Sequence, residues 1–137
     1  MNAVDTNIWI YVHDRRDPGK QQKAAGLIRG LEEHVLLWQV GCEFLAAARK
    51  LQDQGFSMET AWTALDDMQA MSVSVIVPTP AVWTRTRGLM QSHNFSFWDG
   101  LLVSTCLESG VTTLYSEDFD AYPEIEGMSI INPFTGP

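Results

Sequence analysis

Val4-Asp5-Thr6-Asn7-Ile8 is the stretch on which the reading of the whole chain turns. A short apolar strand runs straight into an acid here, and a β-branched and aromatic run, Ile8-Trp9-Ile10-Tyr11-Val12, follows without pause. A carboxylate at the end of a core strand loses hydration, which is costly unless a cation, a donor or a proton compensates it. Thr6 and Asn7 supply donors and acceptors but no balancing positive charge. Asp5 as the cap of a following helix is the simpler account of these five residues taken alone, since Asp, Thr and Asn all cap well. The rest of the chain changes that balance by bringing further acids into equally unsuitable places.

Outward from this stretch, strands and helices alternate. Apolar spacing and capping signals predict helices over Pro18 to Glu33, Val40 to Gln54, Ser57 to Met71, Thr79 to His93 and Phe97 to Ser109, with Gly55 and Gly110 as stops. Short apolar or β-branched runs predict strands at Val35 to Trp38, Ser72 to Val77, Thr112 to Tyr115 and Met128 to Ile131. Strands separated by helices imply an α/β fold with a mainly parallel sheet covered on both faces. Ligands of such sheets sit beyond the carboxyl ends of the strands, and Asp5 stands at such an end.

Length and composition bound the function. At 137 residues the chain is read as one domain, residues 1–137, able to bury its own core. Hydrophobic content of 45% and five Trp exclude a disordered chain. No apolar run reaches membrane-spanning length and no export signal follows Met1, so a cytoplasmic protein without membrane contact is expected. Cys42 and Cys106 fall within predicted helices and read as reduced packing residues. A net charge of −8 argues against a simple nucleic-acid binder. It leaves room for an enzyme that reaches phosphates through divalent cations.

Three later acids join Asp5. Glu43 lies on the edge of the apolar stripe Val40, Phe44, Ala47 and Leu51, with Lys50 one heptad on as a candidate ion-pair partner. Asp99 interrupts an otherwise apolar helix start, Phe97-Trp98-Asp99-Gly100-Leu101-Leu102-Val103, which is expected to be buried. It either completes a capping box with Ser96 or is a site carboxylate on a rigid helix start. The run Ser116-Glu117-Asp118-Phe119-Asp120 follows a strand end, as Asp5 does, and Asp118 is the preferred inward acid with Asp120 in reserve. Oxygen-only ligation suits magnesium or manganese, which bind through a few carboxylates plus substrate phosphate. Such a cation polarises a phosphoryl oxygen and acidifies water, and the corresponding reaction is phosphodiester hydrolysis.

These residues resemble the PIN-domain ribonucleases, in particular the VapC-like toxins of bacterial toxin–antitoxin pairs. The resemblance rests on Val4-Asp5-Thr6-Asn7, on Glu43 in an early helix, and on Ser96-Phe97-Trp98-Asp99-Gly100-Leu101-Leu102. It continues in Leu114-Tyr115-Ser116-Glu117-Asp118 and closes with Ile131-Asn132-Pro133-Phe134, spanning nearly the whole chain in order. It implies a three-layer α/β/α fold with a catalytic quartet of Asp5, Glu43, Asp99 and Asp118. Asp5, Asp99 and Asp118 would hold Mg2+ or Mn2+, with Thr6, Asn7, Ser116 and Asp120 in support. It also implies an RNA substrate, a homodimer, and a small antitoxin whose basic C-terminal segment lies over the acids. Arg15, Arg16, Arg85 and Arg87 are the candidate RNA-phosphate contacts.

Two other classes compete. A phosphatase with an Asp nucleophile also carries an Asp after its first strand, but a second Asp is common two residues on, where this chain has Asn7. A non-catalytic interaction module would use the acids only as caps and rim charges.

Overall fold

The computed structural model describes residues 1–135. Its sheet has six strands: β1 (Asn2–Val4), β2 (His34–Leu37), β3 (Val75–Ile76), β4 (Thr113–Tyr115), β5 (Glu124–Ile125) and β6 (Met128–Ile131). Six α-helices connect them: α1 (Thr6–His13), α2 (Pro18–Gly30), α3 (Trp38–Ala47), α4 (Met58–Met71), α5 (Ala81–Ser92) and α6 (Phe97–Glu108). The strand order is β3-β2-β1-β4-β6-β5, with every pairing parallel except β5 with β6. Helices cover both faces, giving the expected three-layer α/β/α architecture. The central strands are buried on both faces and read as unbroken apolar runs, as in Val35-Leu36-Leu37.

The chain steps from β1 outward to β2 and β3, then returns to place β4 on the other side of β1. The reversal opens a crevice at the carboxyl ends of β1 and β4, the position at which doubly wound sheets bind ligands. Register fixes what stands there. Val4 pairs with Tyr115, so Asp5 and Ser116 leave the sheet side by side.

Several boundaries differ from the sequence expectation. The run Ile8 to Val12, which the sequence reading assigns to no element of its own, is helical, and the Asp5 carboxylate caps that helix, as the simpler account of Val4 to Ile8 has it, by accepting from the Thr6 N–H at 2.7 Å. The second helix stops at Gly30, β2 ends at Leu37, and Trp38 already opens α3. Helix α3 ends at Ala47 and tightens into a 3-10 segment, Ala48–Gln54, which closes on Gly55 in the left-handed region at φ 82°. Strand β3 shrinks to two residues.

Strand β5 was not anticipated. It pairs with β6 through a two-residue turn, Glu126-Gly127, both at positive φ (48° and 87°). Such turns favour Asn or Asp before Gly, and Glu in that place hides the signal. Cys106 is buried as expected, whereas Cys42 is exposed rather than packed. The body of α6 is buried but its first turn is not: Phe97 and Trp98 are 40% and 61% exposed. Gly100 lets α6 approach α5, since a Cβ there would lie 3.3 Å from side-chain atoms of both Thr86 and Met90. Among the described residues no helix is long and apolar enough to cross a membrane.

Candidate active site

Asp5, Glu43, Asp99 and Asp118 all line one cleft of about 400 Å3 at the switch point. Each arrives from a different element. Asp5 follows β1, Glu43 lies in α3, Asp99 in the first turn of α6, and Asp118 in the loop after β4. Local rules place each of them: a strand end, a helix face, a helix start and a turn.

Short hydrogen bonds hold the acids. Ser116 Oγ donates to Asp5 Oδ2 at 2.7 Å and accepts from the Asp118 N–H at 3.1 Å, so one buried hydroxyl ties two acids together. Asn7 Nδ2 donates to Asp118 Oδ2 at 2.9 Å, and Thr6 Oγ1 donates to Glu43 Oε1 at 2.8 Å. The sequence-predicted supporting residues Thr6, Asn7 and Ser116 thus each bond directly to a member of the quartet. Asp120 does not enter the cleft. It accepts from Asn132 Nδ2 at 3.0 Å and lines a separate hollow with Ser116 and Ile130, so the structure places Asp118 and not its reserve among the acids.

Charge is poorly compensated here. Asp5 is 6% exposed, and its pKa rises to about 7. Burial is the main cause; the bonds from Ser116 and Thr6 oppose it, and the charges of Glu43 and Asp118 add to it. Asp99 is half-buried and shifted the same way, by burial first and by Asp118 as well, with Ser96 acting against the shift. Its backbone N–H donates to Ser96 Oγ at 3.1 Å, so Ser96 caps α6. Among the described residues no bond from the Ser96 N–H to the Asp99 carboxylate closes a capping box.

The expected Glu43–Lys50 ion pair does not form among the described residues. Lys50 lines the cleft instead. Gln39, one helical turn before Glu43, was missed. Its Nε2 donates to the Trp98 carbonyl at 3.0 Å and makes a longer contact of 3.5 Å with Glu43 Oε2, joining α3 to the start of α6. The i, i+4 spacing to Glu43 was the available signal. Asp14 and Tyr11 also line the cleft unpredicted. The Arg16 guanidinium holds the Asp14 carboxyl below the usual range, at 3.0 Å.

The four candidate RNA-binding arginines fare unequally. Arg15 donates to the Gln54 carbonyl, away from the cleft lining, and Arg16 pairs with Asp14, which lines the cleft; neither arginine lines it itself. Arg85 does not fit the expectation: its guanidinium is taken up by Glu108 and Glu126, at 2.9 and 3.1 Å. Arg87 is exposed on α5 and does not line the cleft.

The donor set is entirely oxygen, which suits a hard divalent cation. Asn7 Oδ1 and Gln39 Oε1 are buried without a hydrogen-bond partner and add two neutral acceptors to it. Among the described residues no three His, Cys, Asp or Glu side chains are gathered tightly enough to hold an ion as they stand. The donors match a hard cation in chemical type, but the carboxylates as placed do not form a ligand cluster.

The family model of the PIN domain matches residues 3–126. The chain belongs to the PIN-domain family. This PIN domain is similar in structure to a toxin–antitoxin complex from Klebsiella pneumoniae, with a TM-score of 0.72, 17% identity and 98% of each chain covered. It is also similar to a Sarcin-Ricin loop cleaving toxin from Mycobacterium tuberculosis (TM-score 0.70, 18% identity, 92% of this chain and 98% of that one). A third likeness is to FitAcB from Neisseria gonorrhoeae (TM-score 0.68, 15% identity, 97% and 98% covered). At these identities the likeness is one of fold. Among curated protein sequences the chain finds no match.

Proposed function

We propose that this PIN domain is a magnesium- or manganese-dependent endoribonuclease, the toxin of a toxin–antitoxin pair. The observation that carries the reading is that Asp5, Glu43, Asp99 and Asp118, from four elements, line one cleft, with Asp5 pushed up to about 7. Such a set of acids costs stability unless a cation occupies the cleft. Asp5, Asp99 and Asp118 would hold the ion, oriented by Ser116 and Asn7. A bound divalent cation supplies Lewis acidity toward a phosphoryl oxygen and acidifies water. Glu43, oriented by Thr6 at Oε1 and by the longer Gln39 contact at Oε2, would be the proton acceptor for the attacking water. Tyr11 and Ile10 form part of the cleft wall.

The test is purified protein on single-stranded and structured RNA, with manganese and with chelator. Internal cleavage is expected with manganese alone, and no phosphate should be released from monoesters. Asp118→Asn should abolish cleavage, whereas Asp120→Asn should leave it within about threefold, as expected of a residue that touches no reacting group. Equal loss in both variants would reject the assignment of Asp118. Monoester hydrolysis would favour the phosphatase class.

A small antitoxin with a basic tail is the partner that this reading requires, and a chain of net charge −8 with an acidic cleft suits it. A synthetic basic peptide taken from the C-terminus of the protein encoded beside this one should inhibit cleavage. That inhibition should weaken between 0.05 and 0.5 M salt, roughly as the screening length falls below 10 Å. Salt-insensitive inhibition would mean that apolar contacts, not the tail's charge, hold the partner. A homodimer is the expected assembly.

A further inference from the structure

An acidic cleft that cleaves RNA has to admit a polyanion, and a metal ion alone neutralises only the phosphate it touches. Lys50 is the one basic residue lining the cleft among the described residues. It stands on the 3-10 segment that continues α3, seven residues beyond Glu43, and its side chain is exposed. Other basic side chains near the site are already engaged: Arg16 with Asp14 at 3.0 Å, and Lys20 with Glu117 at 2.9 Å and the Tyr11 hydroxyl at 3.1 Å. Lys50 has neither an ion pair nor a side-chain hydrogen bond among the described residues. Neither acid on its own helical run engages it: Glu43 is turned to Thr6 and Gln39, and Asp53, three residues on in the same 3-10 segment, forms no ion pair with it among the described residues. A free ammonium in the wall of a carboxylate-lined cleft is suited to an anion brought by the ligand, because it needs no internal partner to be displaced.

We propose that Lys50 binds a backbone phosphate of the RNA next to the one cleaved. It is a binding residue of the ribonuclease reading and rests on that reading. It holds the strand in register over the acids and acts on KM rather than kcat. Because a lysine contacts phosphate as a point charge, Arg in its place retains the contact and an uncharged isostere loses it.

Lys50→Met and Lys50→Arg would be compared with the wild type in two measurements. The first is KM and kcat for a single-stranded RNA oligonucleotide with manganese, at three salt concentrations. The second is manganese affinity by calorimetry in the absence of RNA. Lys50→Met should raise KM by roughly five- to tenfold and reduce the salt slope of binding by about 0.7, the value for one phosphate contact on a single strand, with kcat nearly unchanged. Its manganese affinity should hold or increase, because a positive charge leaves the cleft. Lys50→Arg should behave as the wild type. Unchanged KM and salt slope in the Met variant would overturn the proposal. Weaker manganese binding in that variant would overturn it as well, by showing that Lys50 maintains the shape of the site. A wild-type protein that binds manganese and cleaves RNA, beside an indifferent Met variant, would reject Lys50 alone. A wild type that does neither would reject the ribonuclease reading and the Lys50 contact together.

Discussion

Asp5→Asn should abolish metal-dependent cleavage and, in chelator above neutral pH, give a protein more stable than the wild type. Asp5 is 6% exposed and titrates near pH 7 rather than 3.8. A carboxyl whose pKa is higher in the folded than in the unfolded state stabilises the fold fully below the unfolded value, and that contribution is lost as pH rises through the folded value. The window therefore runs from about pH 4 to about pH 7. Three pKa units at 1.36 kcal/mol each set the loss at no more than about 4 kcal/mol. The Asn variant keeps the acceptor for the Thr6 N–H and escapes this loss. Subtracting the two stability curves removes the opposite trend of His13 and His34, whose lowered values make the fold more stable as pH rises. Denaturant melts at pH 4, 5.5, 7 and 8.5 in chelator should converge at the acid end and separate by pH 8.5. Cleavage at the wild-type rate in Asp5→Asn would remove Asp5 from the site. Parallel stability curves would show that Asp5 is ionised despite its burial.

Asp99→Asn carries the second large effect, because it separates a site acid from a cap. Ser96 caps α6 through the backbone N–H of Asp99, a bond that Asn retains. The Asp99 carboxylate faces the charge of Asp118 and is partly desolvated, so without metal its ionised form is unfavourable. Removing the charge should raise the chelator melting temperature, abolish cleavage and shrink the gain on adding manganese. For the wild type that gain is about 2.7 kcal/mol at a manganese concentration 100 times Kd. Were the carboxylate only complementing the helix dipole, its loss would cost about 0.3–1 kcal/mol and the manganese gain would be unaltered. Four melts, wild type and variant with chelator and with manganese, distinguish these outcomes. A variant less stable in chelator and equally stabilised by manganese would take Asp99 out of the site.

Much of the candidate site was legible because its parts are local. Asp5 and the Ser116 to Asp120 run were placed by a rule about strand ends, Glu43 by helical spacing, and Asp99 by an acid in an apolar helix start. The failures were also local in cause. Its basic side chain alone makes Arg85 a candidate phosphate contact, yet Glu126, which engages it, arrives from a hairpin the sequence does not reveal. Lys50 was matched to Glu43 by heptad spacing, but that spacing does not record the Thr6 hydroxyl, 37 residues away, which reaches Glu43 first.

The sequence by itself determined the alternation of strands and helices, the parallel sheet and the order in which four acids meet its carboxyl edge. Periodicity, caps and turn residues act over a few positions, and α/β topology then leaves few arrangements. Only the tertiary structure decided which acids share one cleft. Asp118 and Asp120 are two residues apart and indistinguishable by type. The Asn7 amide draws Asp118 in across 111 positions of chain, while Asn132 holds Asp120 outside. Likewise the bond from Ser116 to Asp5 exists because β1 and β4 are neighbours in register, although 111 residues separate the pair. Hydrogen-bond partners of this kind are set by strand order and helix packing, which no local window of sequence contains.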